Sequence, residues 1–187
     1  MRLVTIIATR PADEYGPFQT DNGFIERITS KLANMPTYRA ASIVDVAHAL
    51  QETCAADDEL LSVQLIGHGS AGQLRLGGCF MTDERRARRW PYFVLDTTPS
   101  PLGFLARFAD RIGELTLVGC NVGAAHTDWP VNGRGLLYCL AEALQCTTRG
   151  ASTMINQNSF DDAGRYCGPS AMWEWAGSGP PSFRIQH

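Results

Sequence analysis

Two short apolar runs, each cut off by a glycine-flanked reactive residue, constrain this chain more than any other feature. Leu60 to Ile66 ends in Gly67-His68-Gly69-Ser70-Ala71-Gly72, and Leu115 to Val118 ends in Gly119-Cys120-Asn121. A compact, mostly apolar run too short for a helix is what a strand buried on both faces of a parallel sheet requires. The glycines mark a sharp turn directly beyond it.

The remaining pattern alternates helix and strand. The stretch from Met1 to Arg10 reads as a first buried strand, and its apolar residues before Arg10 are fewer than a signal-peptide core or a membrane span needs. Asn22 caps a helix through Phe24, Ile25, Ile28 and Leu32 that stops before Pro36. Ser42 with Asp45 resembles a capping box for a second helix through Val46, Ala47 and Leu50. Gln73 to Leu76 is a small hairpin arm. Ser100-Pro101 opens a third helix through Leu102, Leu105, Phe108 and Ile112, and Gly133 to Gln145 forms a fourth. A strand from Cys146 to Ala151 and a terminal β-hairpin around Met172 to Trp175 complete the order. This predicts an α/β domain with a mainly parallel central sheet and helices on both faces.

The 187 residues, 44% hydrophobic, suit one domain over 1–187. A net charge of -3 from 16 basic and 19 acidic residues gives no footing for nucleic acid or an anionic membrane. The six cysteines are scattered without the close spacing of a zinc or redox motif, so no metal is expected. The chain reads as reduced and cytoplasmic, or as secreted without a classical signal peptide.

In open α/β sheets, ligands sit beyond the carboxyl ends of the strands. If the two strands are neighbours, His68 and Cys120 emerge at the same edge. A thiol with an ordinary pKa of roughly 8.5 needs a neighbouring imidazole to act as a nucleophile at neutral pH, and the imidazole later protonates a leaving amine. Gly69 lets its backbone N–H approach a substrate closely, and with the Cys120 N–H it can hold a developing oxyanion, at about 3 to 4 kcal/mol per donor.

These contexts also carry a family resemblance. Leu65-Ile66-Gly67-His68-Gly69 and, fifty-two residues later, Leu117-Val118-Gly119-Cys120-Asn121 resemble the two strand ends of the caspase-like clan of cysteine peptidases, which includes clostripain, gingipain and separase relatives. The match is closer to the autoprocessing cysteine protease domains of RTX-type and large clostridial toxins. These share a late aromatic segment similar to Gly164-Arg165 through Met172-Trp173-Glu174-Trp175, so that roughly residues 60 to 176 are covered. The resemblance implies a caspase-like three-layer sandwich and an endopeptidase, autoprocessing or a bacterial effector, acting on protein or peptide substrate. His68 and Cys120 carry over as the catalytic pair, Gly69 as an oxyanion contributor, and Trp173 as part of the terminal hairpin. Metacaspases carry an acidic residue two positions before the cysteine; Val118 stands here and argues against selectivity for basic residues. The toxin domains bind inositol hexakisphosphate through many lysines, whereas Lys31 is the only lysine in this chain. No cofactor is required on this reading. Inositol hexakisphosphate and calcium are candidate activators, with Arg85-Arg86-Ala87-Arg88-Arg89 as a substitute anion site and Asp57-Asp58-Glu59 as an acidic cluster; both runs read first as solvated surface.

Other polar residues have plainer readings. Arg10, at the end of the first strand, is a candidate for binding an acidic substrate side chain and otherwise an ordinary surface arginine. His48, His126 and His187 read as surface, the tryptophans as packing, and Cys54, Cys79, Cys139, Cys146 and Cys167 as small buried hydrophobes. Two alternatives compete with the peptidase. A serine hydrolase needs a small residue two before Ser70, where His68 stands. A catalytically silent caspase-like binding or scaffold module needs no dyad.

Overall fold

The computed structural model describes residues 1–8, 22–56, 58–76, 79–82, 105–125, 133–177 and 180–186. In chain order the elements are β1 (Arg2–Ala8), α1 (Asn22–Lys31), β2 (Thr37–Ala40), α2 (Ile43–Ala56), β3 (Leu61–Ile66), β4 (Gly69–Ser70), β5 (Gln73–Leu76), β6 (Cys79–Thr82), β7 (Ile112–Val118), α3 (Gly133–Leu144), β8 (Thr147–Ala151), β9 (Ser170–Glu174) and β10 (Ser182–Gln186). Seven strands form the main sheet in the order β10-β9-β8-β7-β3-β1-β2, and β4, β5 and β6 form a small second sheet. The pairings from β2 across to β8 are parallel, while β9 and β10 add antiparallel strands at one edge. The domain is therefore α/β with a mainly parallel mixed sheet, and the terminal hairpin is present as β9 and β10.

Side-chain alternation divides the core between the two faces of the sheet. Val4, Ile6, Val63, Leu65, Leu115 and Leu117 join Val46 and Leu50 of α2 and Leu136, Leu137 and Leu140 of α3 in one cluster. Ile7, Ile66, Val118 and Ala151 join Ile28 and Leu32 in a second cluster with Ile155, Phe160 and Tyr166. Strands buried on both faces explain why β3 and β7 read as mostly apolar runs, each large buried side chain contributing about 1.5 to 3 kcal/mol.

Local chemistry fixes the ends of the helices. Ser42 Oγ accepts from the Asp45 N–H (3.3 Å), and the Asp45 carboxylate accepts from the Ala41 N–H (2.9 Å) and the Ser42 hydroxyl (3.0 Å). This is the reciprocal start expected at Ser42, reaching one residue further back than a standard capping box. Helix α3 ends at Leu144 with Gln145 at φ 50, and the Thr148 hydroxyl donates to the Leu137 carbonyl (2.7 Å), tying α3 to β8. Trp173 belongs to the hairpin as expected: its indole N–H donates to the Arg134 carbonyl at 2.9 Å, and its ring meets Tyr138 edge-on and Phe183 at a tilt.

Three expectations need correction. Thr37–Ala40, left unassigned between Pro36 and Ser42, is the edge strand β2, held by pairing with β1. The third helix does not reach Ile112: the helical stretch at Leu105 gives way to single turns, and Ile112 begins β7, because pairing with Leu61 of β3 extends the strand back past Gly113. Residues 101–104 of that helix lie outside the described residues. Cys167 is exposed, because the strand-like alternation that turns Tyr166 inward turns its neighbour outward. Cys146 is buried as expected; Cys54 and Cys139 are half-buried. No helix among the described residues is long and apolar enough to cross a membrane.

Two buried acids set an alkaline limit. Burial pushes the Cys146 thiol from 9.0 up to about 12, with the nearby Glu114 adding to the effect. Burial likewise raises the Tyr166 hydroxyl from 10.0 to about 12. In both the fold favours the protonated form, so the folded chain keeps a proton that the unfolded chain has lost. Their contribution is complete below the ordinary values and is lost as pH rises through them toward about 12. The urea midpoint is therefore expected to fall on alkaline titration, at up to about 1.4 kcal/mol per pH unit for each group. Cys146→Ala should flatten the earlier part of that fall.

Candidate functional site

The two glycine-ended strands are neighbours. Strand β3 pairs with β7 in parallel with Ile66 opposite Val118, and the Gly67 N–H donates to the Val118 carbonyl at 3.1 Å, continuing the ladder by one residue. His68 and Cys120 each stand two residues past that register pair. The sheet thus carries residues 68 and 120 to neighbouring strand ends at the carboxyl edge, and both side chains are half-buried.

The loops beyond the strands are locked together by close backbone packing. A Cβ added at Gly69 would meet the Val122 side chain and stand 2.8 and 2.9 Å from the carbonyl carbon and Cα of Gly119. A Cβ added at Gly119 would stand 3.0 Å from the Cα of Gly69 and 2.7 Å from a methyl of Leu74. Only glycine fits on either side of this contact. One hydrogen bond reinforces it: Gly72, at φ 69 in the turn between β4 and β5, donates its N–H to the Val122 carbonyl at 3.0 Å.

Past Cys120 the chain turns tightly through Asn121, which takes φ 59, a conformation asparagine tolerates better than most residues. The N–H groups of Asn121, Val122 and Gly123 donate to the carbonyls of Thr153 (3.0 Å), Gly119 (3.2 Å) and Ala151 (2.8 Å). Among the described residues no backbone carbonyl accepts from the Cys120 N–H. The pairing of Ser70 with Gln73 across a two-residue turn makes Gly69 opposite Leu74 a non-hydrogen-bonded position, so the Gly69 N–H turns away from β5. Among the described residues the Gly69 and Cys120 N–H groups are thus left unconsumed by the hairpin and the cysteine turn.

The Cys120 side chain packs against the second core cluster, close enough to Tyr166 to act on its hydroxyl. The Tyr166 hydroxyl donates to the Pro169 carbonyl at 2.9 Å; its raised pKa is due first to burial, then to nearby Cys167, with Cys120 also close enough to contribute and Arg149 and Thr153 opposing. Tyr166 and its tether Gln64 went unnoticed in the sequence. The available signal was a glutamine inside an otherwise apolar buried run.

The other candidates separate from the site. Ser70 sits in the β4–β5 hairpin with its hydroxyl donating to Gln73 Oε1 at 3.0 Å, and no helix follows it, so it is not a nucleophile elbow. His48 is exposed on α2. Asp58 and Glu59 are exposed and pair with Arg111 (3.6 Å) and the N-terminal amine (2.9 Å). Among the described residues no group of three or more His, Cys, Asp or Glu side chains can hold a metal ion. Arg10, Asp57, the Arg85 to Arg89 run, His126 and His187 lie outside the described residues. Comparison with protein-family models, with curated proteins and with solved structures finds no match.

The glycine contact makes a specific prediction. Gly69→Ala forces β4 away from the cysteine turn and is expected to destabilise the protein by about 1 to 3 kcal/mol, as overpacking of a tight interior does. Chemical denaturation measures this, and Ser70→Ala, one residue on and exposed, should shift the midpoint by less than about 0.5 kcal/mol.

Proposed function

We propose that the protein is a cysteine endopeptidase of caspase-like architecture, with His68 as general base and acid and Cys120 as nucleophile. The observation that carries this reading is the β3–β7 register, which puts His68 and Cys120 on neighbouring strand ends at the carboxyl edge of a parallel sheet. The uncommitted Cys120 N–H beside Gly69 supports it. The order and sense of the strands, with a terminal antiparallel hairpin, are compatible with a three-layer caspase-like sandwich.

On this reading His68 takes the Cys120 proton and the sulfur attacks the scissile carbonyl carbon. The oxygen takes up negative charge within reach of the Gly69 and Cys120 N–H groups. Collapse of that intermediate breaks the C–N bond as the His68 imidazolium gives its proton to the departing amine, leaving a thioester on Cys120. Water then attacks the thioester with His68 accepting its proton, which releases the new carboxyl terminus and restores the thiol. Val118, two residues before the nucleophile, is fully buried and apolar, so that position offers no charge to pair with a basic substrate side chain.

The test is incubation of wild-type protein with a mixed peptide library, with and without calcium and inositol hexakisphosphate, with the products read by mass spectrometry. Wild type is expected to cleave, and both Cys120→Ala and His68→Ala to lose at least about 1,000-fold in rate, as removal of one member of such a unit does. Cleavage that survives both substitutions would refute the dyad.

A further inference from the structure

We infer that Gln64 is a positioning residue for the Cys120 pocket, acting through Tyr166; the inference rests on the peptidase reading for its catalytic consequence. Gln64 is buried in the middle of β3, where an amide is costly unless its polar atoms are bonded. Its Nε2 donates to the Thr5 hydroxyl (2.9 Å) and to the Gly164 carbonyl (2.6 Å), and its Oε1 accepts from the Tyr166 N–H (3.1 Å). Two of these three bonds go to one loop, about a hundred residues away in sequence.

That loop is rigid in its own right. The Asp161 carboxylate accepts from the Arg165 N–H at 2.8 Å, the backbones of Asp161 and Arg165 bond at 3.0 Å, and Phe160 pairs with Tyr166. Gly164, at φ 74, packs against Met35 where a side chain would collide. What the loop delivers is the Tyr166 ring, placed in the same apolar cluster that Cys120 packs against. Gln64 also lies on the same face of β3 as Ile66, two residues before the turn that presents His68. One amide thus ties the strand that carries the imidazole to the wall that backs the thiol. Among the described residues the ionisable groups acting on Tyr166 are Cys167 from its own loop, Arg149 of β8 and Cys120 itself, and His68 stands at the neighbouring strand end. Losing the tether leaves the loop able to shift and the thiol able to turn from His68.

The experiment uses the full chain, with two readouts beside a melting curve. Gln64→Met keeps the side-chain length and loses all three bonds. It is expected to lower kcat on a cleaved library peptide by about 10- to 100-fold with KM within about twofold. It should also slow iodoacetamide alkylation of Cys120 near neutral pH by about tenfold. A purely structural role would lower the melting temperature and leave that alkylation rate in place. Tyr166→Leu, which leaves the strand untouched, carries the same expectation alone and decides the matter if Gln64→Met fails to fold. The double variant should be no worse than the worse single one. Folded variants with an unchanged alkylation rate and kcat, or costs that add in the double variant, would overturn the inference. If wild type cleaves no peptide, the peptidase reading falls while the alkylation rate of Cys120 still decides the positioning.

Discussion

The site depends on the contact between Gly69 and Gly119. Parallel pairing alone brings β3 and β7 to a common edge, but strands that feed ordinary loops diverge beyond their last ladder bond. Here the ladder runs one residue further, through the Gly67 N–H, and the next residues on the two chains then pack backbone against backbone. Any side chain at either glycine would wedge the loops apart. Leu74 and Val122 fill the space around the contact, so the small β4–β5–β6 sheet is attached to the cysteine turn rather than hanging from the end of β3. The edge holding His68 and Cys120 is therefore built from core-like packing, which suits groups that must meet in one geometry.

Below that edge the second face of the sheet is layered. Thr5, Gln64, Thr116 and Arg149 are register partners across four strands and form a polar row. Ile7, Ile66 and Val118 form the apolar row above it, and His68 and Cys120 stand above that. The polar row is bonded in large part within itself: Gln64 bonds Thr5, Thr116 donates to Glu114 at 3.3 Å, and Glu114 pairs with Arg149 at 3.4 Å, while Arg149 Nε is buried without a hydrogen-bond partner. A bonded polar layer in a buried sheet fixes register and partner choice more than it adds stability. In this molecule its most consequential partner is the loop that carries Tyr166.

Much of this was legible in the sequence where a residue's local chemistry decides its structure. The glycines that end β3 and β7, the Ser42–Asp45 start of α2 and the apolar periodicity of α3 each specify their element without help from the rest of the chain. The misses fall where tertiary pairing decides. Thr37–Ala40 has no strand pattern of its own and becomes β2 by pairing with β1. Ile112 fits both a helical face and a strand start, and β3 settles which. Gln64 and Tyr166 are joined across a separation of 102 residues, which no local pattern reports. That His68 and Cys120 end neighbouring strands was legible only conditionally, since adjacency of those strands is a property of the sheet.

The central claim is that His68 and Cys120 form one chemical unit, and the most direct measurement is covalent trapping by a peptide acyloxymethyl ketone, mapped by mass spectrometry. Such a reagent needs substrate-like binding and an activated sulfur together. The account predicts an adduct on Cys120 alone, even though Cys167 is the more exposed thiol, and loss of the adduct in His68→Ala. Labelling that favours Cys167, or that persists on Cys120 without the imidazole, would contradict it.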